Sequence, residues 1–285
     1  MLKIGTLFFL LLCSAYGWAQ TERVLFSPED RIIFDRLIQE IEGEGLKPIG
    51  EVIVSTGQEL LHTPYVAGTL EGHTPEILIV NLRGLDCTTF VENVLVVGGM
   101  LQEGQTDWDT YLGHLERLRY RDGLRAGYAS RLHYFTDWIR NNAEKGLVED
   151  ITQSLGGVPR EKRIDFMGTH PALYPSLSSE ASLSAVKNVE KELSAQVTYV
   201  LAKEEVSKVE SQIKNGDIIA LATSVDGLDV THTGFAFRKD NGRIHLLHAS
   251  TRGGVEISKA PLAVYLQGVK GNTGIIVVRP LGAND

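Results

Sequence analysis

The chain has 285 residues, of which 43% are hydrophobic and 22% are charged, and its formal net charge is −8. This composition is typical of a globular protein, and the negative charge argues against a nucleic-acid partner, which would need a basic surface. No linker rich in proline, serine or glycine and no low-complexity tract divides the chain, so residues 20–285 are expected to form a single domain.

The first residues resemble a secretory signal peptide. Lys3 precedes an apolar run at 6–12, and Gly17-Trp18-Ala19 provides a small-x-small cleavage site, so residues 1–19 are predicted to be removed on export to the periplasm. The run is shorter than the roughly 20 residues of a transmembrane helix, which argues against stable membrane insertion after cleavage. Lipidation of Cys13 is the unfavoured alternative, because a large apolar residue stands immediately before it.

Helical patterns come first in the mature chain and strand patterns come last. A cap, a proline and two acids start a helix at Ser27-Pro28, and its apolar stripe continues to Ile41. Further helices are predicted at 50–61, from Cys87 onward, at 107–120, 130–145 and 180–194, with a strand at 76–82 and an ordered loop at 165–176. Short β-rich runs follow at 197–201, 217–222, 232–237, 244–249, 254–258 and 274–279. This order predicts an α+β fold in which an antiparallel sheet packs against helices.

Cys87 is the cysteine that remains after signal removal, and it stands at the start of a predicted helix. Asp86 is a natural N-cap, and the unpaired backbone N–H groups and dipole of a helix start favour the thiolate, the form of sulfur that attacks carbonyl groups. An exported, unpaired thiol is a liability unless it is buried or functional. The sequence therefore leaves two interpretations of Cys87, a small buried core residue or a nucleophile.

Histidine is the usual base beside a cysteine nucleophile, and the chain has eight histidines. His232 and His248 stand on successive predicted strands. His245 lies three residues before His248 and points to the opposite face of that strand, so we expect it at the solvent face or in a separate contact. The other five histidines lack metal-ligand spacing, and neither a metal site nor a cofactor is predicted; they are His62, His73, His114, His133 and His170.

Five blocks in chain order resemble the NlpC-type cell-wall hydrolases, a papain-like family. The blocks are Pro64-Tyr65, Asp86-Cys87, Gly216-Asp217, His232-Thr233-Gly234, and His248-Ala249-Ser250 with Gly254-Val255 beyond it. The resemblance implies a papain-like fold in which Cys87 is the nucleophile, His232 is the base and His248 is the third polar residue. We expect Cys87 and His232 to rest as thiolate and imidazolium.

Two departures from the family pattern indicate a subfamily. Asp86-Cys87 is followed by Thr88-Thr89 instead of Ser-Gly, and the chain between Cys87 and His232 is much longer than in a minimal family domain. The segment at about 103–195, the run Leu85-Asp-Cys-Thr-Thr-Phe-Val-Glu and the run Asp165-Phe-Met-Gly-Thr-His-Pro resemble the N-acetylmuramoyl-L-alanine amidase-like branch. That branch implies a large helical insertion and an amidase that cuts between N-acetylmuramic acid and L-Ala in peptidoglycan fragments.

Two alternatives remain open at this point, a γ-D-glutamyl-diamino acid endopeptidase of the stem peptide and a non-catalytic wall-binding module. Three residues are candidate substrate contacts. Tyr65 is either an oxyanion donor or a buried aromatic. Asp86 is a helix cap and, in relatives that cut between peptide residues, the matching acid holds a free amine. Arg252 either meets a peptide carboxylate or lies exposed without such a role. The sequence predicts no oligomeric state.

Overall fold

The computed structural model describes residues 24–282, in which helices and strands are mixed. The helices are α1 (Pro28–Ile41), α2 (Ile49–Glu59), α3 (Cys87–Gln102), α4 (Trp108–Arg119), α5 (Phe135–Glu144), α6 (Phe166–Thr169), α7 (Glu180–Ser194), α8 (Val206–Val209) and α9 (Leu262–Gln267). The strands are β1 (Val24–Leu25), β2 (Leu78–Ile79), β3 (Val148–Asp150), β4 (Val158–Arg160), β5 (Thr198–Ala202), β6 (Ile218–Thr223), β7 (Val230–Arg238), β8 (Ile244–Ala249), β9 (Val255–Ile257) and β10 (Asn272–Pro280). No helix in this part of the chain has the length and apolar character to span a membrane. The predicted signal peptide and Cys13 lie outside the described residues.

Eight of these strands form one antiparallel sheet, which confirms the predicted α+β class. The strand order is β4-β5-β10-β6-β7-β8-β9, and β3 also pairs with β10. β1 and β2 form a separate parallel pair. His232 on β7 lies opposite Leu221 on β6, and Phe235 lies opposite Leu247 on β8. The strands that carry His232 and His248 are therefore neighbours.

Helix α3 is buried because it is apolar on nearly all of its sides. It packs on β7 and β8, where the rings of Phe90 and Phe235 meet edge-on with their centroids 5.8 Å apart. Helices α1, α2, α4 and α5 complete the core on this face of the sheet. Alternate residues of the strands, such as Ile219 and Leu221, form a second core with α8 and α9 on the other face. This packing holds the N-terminal end of α3, and Cys87 with it, against β7.

The observed elements follow the predicted ones closely, and the exceptions have tertiary causes. Helix α7 and strand β8 have the predicted bounds, whereas the helix predicted at 130–145 begins only at Phe135. A residue far along the chain fixes the start of this helix. The backbone N–H of Thr136 donates a hydrogen bond of 2.7 Å to the carboxylate of Asp229, which lies on the loop before β7. Strands β3 and β4 were not predicted, and the predicted loop at 165–176 contains α6 and two 3-10 turns.

The segment at 103–195 is largely helical, as predicted for the insertion, but it is also built into the sheet. β3 pairs with the C-terminal part of β10, and β4 pairs with β5. Buried Glu190 of α7 accepts hydrogen bonds from the Tyr134 hydroxyl and the Gly168 N–H, each 2.7 Å long. These bonds tie α7 to the start of α5 and to α6. The segment is therefore part of the domain and not an appendage to it.

Candidate active site

The N-terminus of α3 is closed by a reciprocal cap between Asp86 and Thr89. The Thr89 N–H donates to Asp86 Oδ1 at 2.8 Å, and the Asp86 N–H donates to Thr89 Oγ1 at 2.9 Å. The Thr89 hydroxyl also donates to Asp86 Oδ1 at 2.8 Å. Such a cap stabilises a helix by about 1 kcal/mol. Thr89 thus fixes the residue that precedes Cys87.

The sulfur of Cys87 lies near the backbone of Thr233 on β7. The backbone N–H of Thr233, the residue immediately after His232, and the hydroxyl and N–H of Thr88 act on this sulfur, and each lowers the pKa of the thiol. Cys87 is a free thiol and is partly exposed. The thiol therefore lies next to the strand that carries the predicted base.

The rings of the two predicted catalytic histidines are in direct contact. Nε2 of His232 and Nδ1 of His248 are 2.6 Å apart, and the two rings are nearly perpendicular. Gly234 on β7 makes this approach possible, because a Cβ atom there would lie 2.7 Å from the Cβ of His248 and 2.6 Å from the carbonyl oxygen of Leu247. The glycine of the His232-Thr233-Gly234 block therefore has a steric reason to be a glycine.

Burial sets the resting ionisation of this group. It raises the pKa of the Cys87 thiol to about 11, and the negative charge of Asp86 adds to the rise. Burial lowers the pKa of His232 to about 3, with a smaller effect from His248, whose own pKa burial lowers to about 4. These shifts favour a neutral thiol and neutral imidazoles. Their direction is opposite to the thiolate and imidazolium expected from the sequence, because desolvation outweighs the effects of Thr233 and Thr88 on the thiol.

Tyr65 is held beside Cys87 by the segments on both sides of its loop. Tyr65 forms a β-bridge with Leu85, two residues before Cys87, and Pro64 forms one with Gly254 in the loop after β8. Burial raises the pKa of Tyr65 to about 12, and the charges of Cys87 and Asp86 add to this rise. The phenol is therefore protonated near neutral pH and remains able to donate a hydrogen bond.

Arg252 lies on the loop that links β8 to β9, and its side chain is exposed. Its positive charge acts on the hydroxyl of half-buried Tyr265 on α9, whose ring meets the His248 ring at a centroid distance of 5.6 Å. Arg252 thus stands at the rim of the group formed by Cys87, His232 and His248. Its backbone N–H donates to the Ser250 hydroxyl at 3.3 Å.

The structure also places the residues that sequence reasoning left open or missed. His245 is buried, and its Nδ1 lies 2.7 Å from the Ser258 carbonyl oxygen, so it has a separate contact on the face opposite His248. Thr233 and Tyr265 were not singled out from the sequence. Thr233 follows directly after His232, which was a usable signal, whereas the approach of Tyr265 depends on the packing of α9.

Two further features of the described residues bear on the site. No group of three or more His, Cys, Asp or Glu residues in the described part of the chain is arranged to hold a metal ion. A cavity of about 540 Å³ lies between α5, β5 and the end of β6, and Asp229 and Lys162 are among its lining residues. Cys87, His232 and His248 do not line it.

The family model and one similar structure both name an amidase, whereas a second similar structure carries the name of a xylanase. The sequence model of the AmiA-like family, described as N-acetylmuramoyl-L-alanine amidase-like, matches residues 55–275. An N-acetylmuramoyl-L-alanine amidase from Bacteroides uniformis ATCC 8492 is 38% identical, with 82% of this chain and 99% of that chain covered and a TM-score of 0.76. A "putative xylanase" from Bacteroides fragilis is 42% identical, with 78% and 98% covered and a TM-score of 0.73.

A third structure, a protein from Legionella pneumophila str. Philadelphia 1, is only 19% identical and shows likeness of fold alone. It has a TM-score of 0.67, with 88% of this chain and 95% of that chain covered. No curated protein matches the chain.

Proposed function

Because this chain belongs to the AmiA-like, N-acetylmuramoyl-L-alanine amidase-like family, we propose that it is a cysteine amidase of peptidoglycan fragments. It hydrolyses the amide between N-acetylmuramic acid and L-Ala through a thioester. The observation that carries the proposal is the position of the Cys87 sulfur near the backbone N–H of Thr233, the residue next to His232, whose ring contacts His248. The N-terminal residues 1–19 support export, and we place the enzyme in the periplasm.

The first half of the reaction is acylation of the thiol. As the sulfur of Cys87 attacks the amide carbon, His232 takes the thiol proton, so that charge develops only while the new bond forms. His232 then gives this proton to the amide nitrogen, and the C–N bond breaks. L-Ala leaves with its free amine, and the lactyl carbonyl of the muramic acid remains bound to sulfur as a thioester.

The oxyanion of the tetrahedral intermediate needs donors that are already in place. The backbone N–H of Cys87 at the start of α3 is one, and the Tyr65 hydroxyl is the second. Tyr65 supports this role by its bridge to Leu85 and by its raised pKa, which keep the donor near the thiol and protonated. Fixed donors of this kind cost no reorganisation during the reaction.

The second half of the reaction returns the enzyme to its resting state. Neutral His232 removes a proton from water, the hydroxide attacks the thioester carbon, and the sulfur leaves. Cys87 regains its proton from His232. His248 holds the His232 ring through the 2.6 Å contact during both half-reactions. The order of Cys87, His232 and His248 along the chain also supports assignment to the papain-like NlpC superfamily.

The cap of α3 supports the amidase over the endopeptidase. In an endopeptidase that recognises a free amine, the acid before the cysteine must offer its oxygens to that amine. Here Asp86 Oδ1 already accepts two hydrogen bonds from Thr89. The bond between muramic acid and L-Ala has no free amine before it, so a capping Asp86 suits this bond. Exposed Arg252 at the rim is placed to meet a carboxylate of the stem peptide.

The similar structure named a putative xylanase raises glycoside cleavage as a second candidate function. That reaction uses two carboxyl groups that face each other across the scissile bond. The phenols of Tyr65 and Tyr265 interact with Cys87, His232 and His248 contact each other on neighbouring strands, and Asp86 is engaged as a cap. This set of groups supports acyl transfer.

Digestion of defined muropeptides, followed by mass spectrometry, tests the proposal. We expect a sugar product without peptide and a peptide product that begins with L-Ala, and we expect Cys87→Ala and His232→Ala to abolish both. Circular dichroism of each variant controls for folding. Products that retain L-Ala-D-Glu on the sugar identify the endopeptidase instead. Binding of muropeptides without any turnover supports the wall-binding module.

A further inference from the structure

His248 has one ring nitrogen that the proposed chemistry leaves unexplained. The residue is 1% exposed, and its Nε2 has no hydrogen-bond partner among the described residues. A buried, unpaired polar group of this kind costs about 1–3 kcal/mol, so its position needs a reason. The acidic group that faces it is Glu256 on β9, whose Oε1 lies 3.9 Å from Nε2.

The tautomers of both rings follow from the contact between them. Nε2 of His232 is bound to His248, so Nδ1 of His232 is the nitrogen left to take the thiol proton. A neutral His232 with a free Nδ1 carries its hydrogen on Nε2 and donates it to Nδ1 of His248. His248 must then carry its own hydrogen on Nε2, where it points toward Glu256.

We propose that Glu256 is a positioning residue that fixes this tautomer of His248 and, through His248, stabilises the imidazolium formed at His232. The inference rests on the proposed function and deepens it. β9 pairs with β8 so that Glu256 lies directly opposite His248, and the carboxylate is about half exposed. An inward shift of about 1 Å brings its oxygen to the distance of a charge-assisted hydrogen bond.

The carboxylate of Glu256 stabilises the histidine pair only when positive charge develops on it. When His232 takes the thiol proton, its Nε2 proton can move to His248 Nδ1, and the positive charge then faces Glu256. Three groups face His248 from the elements packed around it, His232 on β7, Glu256 on β9 and Tyr265 on α9, and the charge of Arg252 on the loop between β8 and β9 acts on Tyr265. Of these, Glu256 is the carboxylate.

The test compares Glu256→Gln with a matched control, Glu40→Gln. The first keeps the shape of the side chain and removes its charge, and the second makes the same change on the exposed face of α1, away from the site. We expect Glu256→Gln to lower kcat roughly fivefold to tenfold, with KM within about twofold of wild type, because the lost interaction is made as charge develops. The acid limb of the kcat/KM profile should move to lower pH by about half a unit, since the pair of imidazoles loses a neighbouring negative charge.

Three results separate the possible outcomes. Unchanged kcat and an unchanged acid limb in Glu256→Gln overturn the role of Glu256 while Cys87-dependent hydrolysis stands. Equal effects in Glu40→Gln assign the change to net charge and also overturn it. Undiminished hydrolysis by Cys87→Ala overturns the cysteine mechanism itself, whatever Glu256 does.

Discussion

Replacement of Asp86 by asparagine tests whether the thiol rests in its neutral form. With a pKa of about 11, roughly one Cys87 thiol in ten thousand is ionised at pH 7. The charge of Asp86 contributes to this high value, and a neighbouring charge of this kind is worth about 1–2 kcal/mol. Removal of that charge therefore raises the thiolate fraction about tenfold. Asparagine caps helices as well as aspartate does, so α3 remains closed.

The assay is the rate of alkylation by iodoacetamide in protein that spans residues 20–285, in which Cys87 is the single thiol. In the wild type we expect the rate to rise about tenfold per pH unit between pH 7 and 10. Asp86→Asn should react about ten times faster at pH 7. Asp107→Asn is the matched control, because Asp107 caps α4 through a bond to the Thr110 N–H, and its rate should equal wild type. A wild-type rate that is flat from pH 5 to 9 would show a resting thiolate and refute the reasoning.

Three further predictions concern the oxyanion donor, the histidine contact and acid stability. Tyr65→Phe keeps the packed ring and should lower kcat about a hundredfold with little change in KM; a loss below about threefold would leave Tyr65 as a packing residue. Gly234→Ala should cost about 1–3 kcal/mol in urea unfolding and at least tenfold in kcat, because the new Cβ displaces His248; a stable, fully active variant would contradict this geometry. The free energy of unfolding should fall as pH drops below about 6.5, by up to about 1.4 kcal/mol per pH unit for each buried histidine. The folded protein keeps His232, His248 and His133 neutral by burial, which lowers their pKa values, while the unfolded chain binds protons there; equal stability at pH 7 and pH 5 would refute it.

The helices and the central strands were predictable because local signals agree with the fold. Ser27 and Pro28 start α1 as the capping pattern predicts, and the continuous apolar run after Phe90 makes α3 a buried helix. The start of α5 was not predictable locally, since it depends on Asp229, which lies far along the chain. Strands β3 and β4 have three residues each, too few for a recognisable pattern, and their pairing with β10 and β5 defines them.

The residues of the candidate site were predictable in part, and their ionisation was not. The contact between His232 and His248 follows from two adjacent strands with the histidines near facing positions. Asp86 was predicted as the N-cap of α3, whereas Thr89, which forms the second half of the cap, was identified only as a departure from the family pattern. Burial, which the sequence of a helix start does not reveal, is the largest cause of the raised pKa of the Cys87 thiol.

The two short strands within 103–195, β3 and β4, restrict which parts of this segment can be removed or exchanged. Loss of the segment would remove β3, which pairs with β10, and β4, which pairs with β5. The main-chain N–H and C=O groups of β10 and β5 that now bond to them would be left unpaired. Such an edge invites association with other chains. Evolution or protein engineering would therefore vary substrate preference through the loops between these elements, because wholesale exchange of the segment would endanger the integrity of the sheet that holds His232.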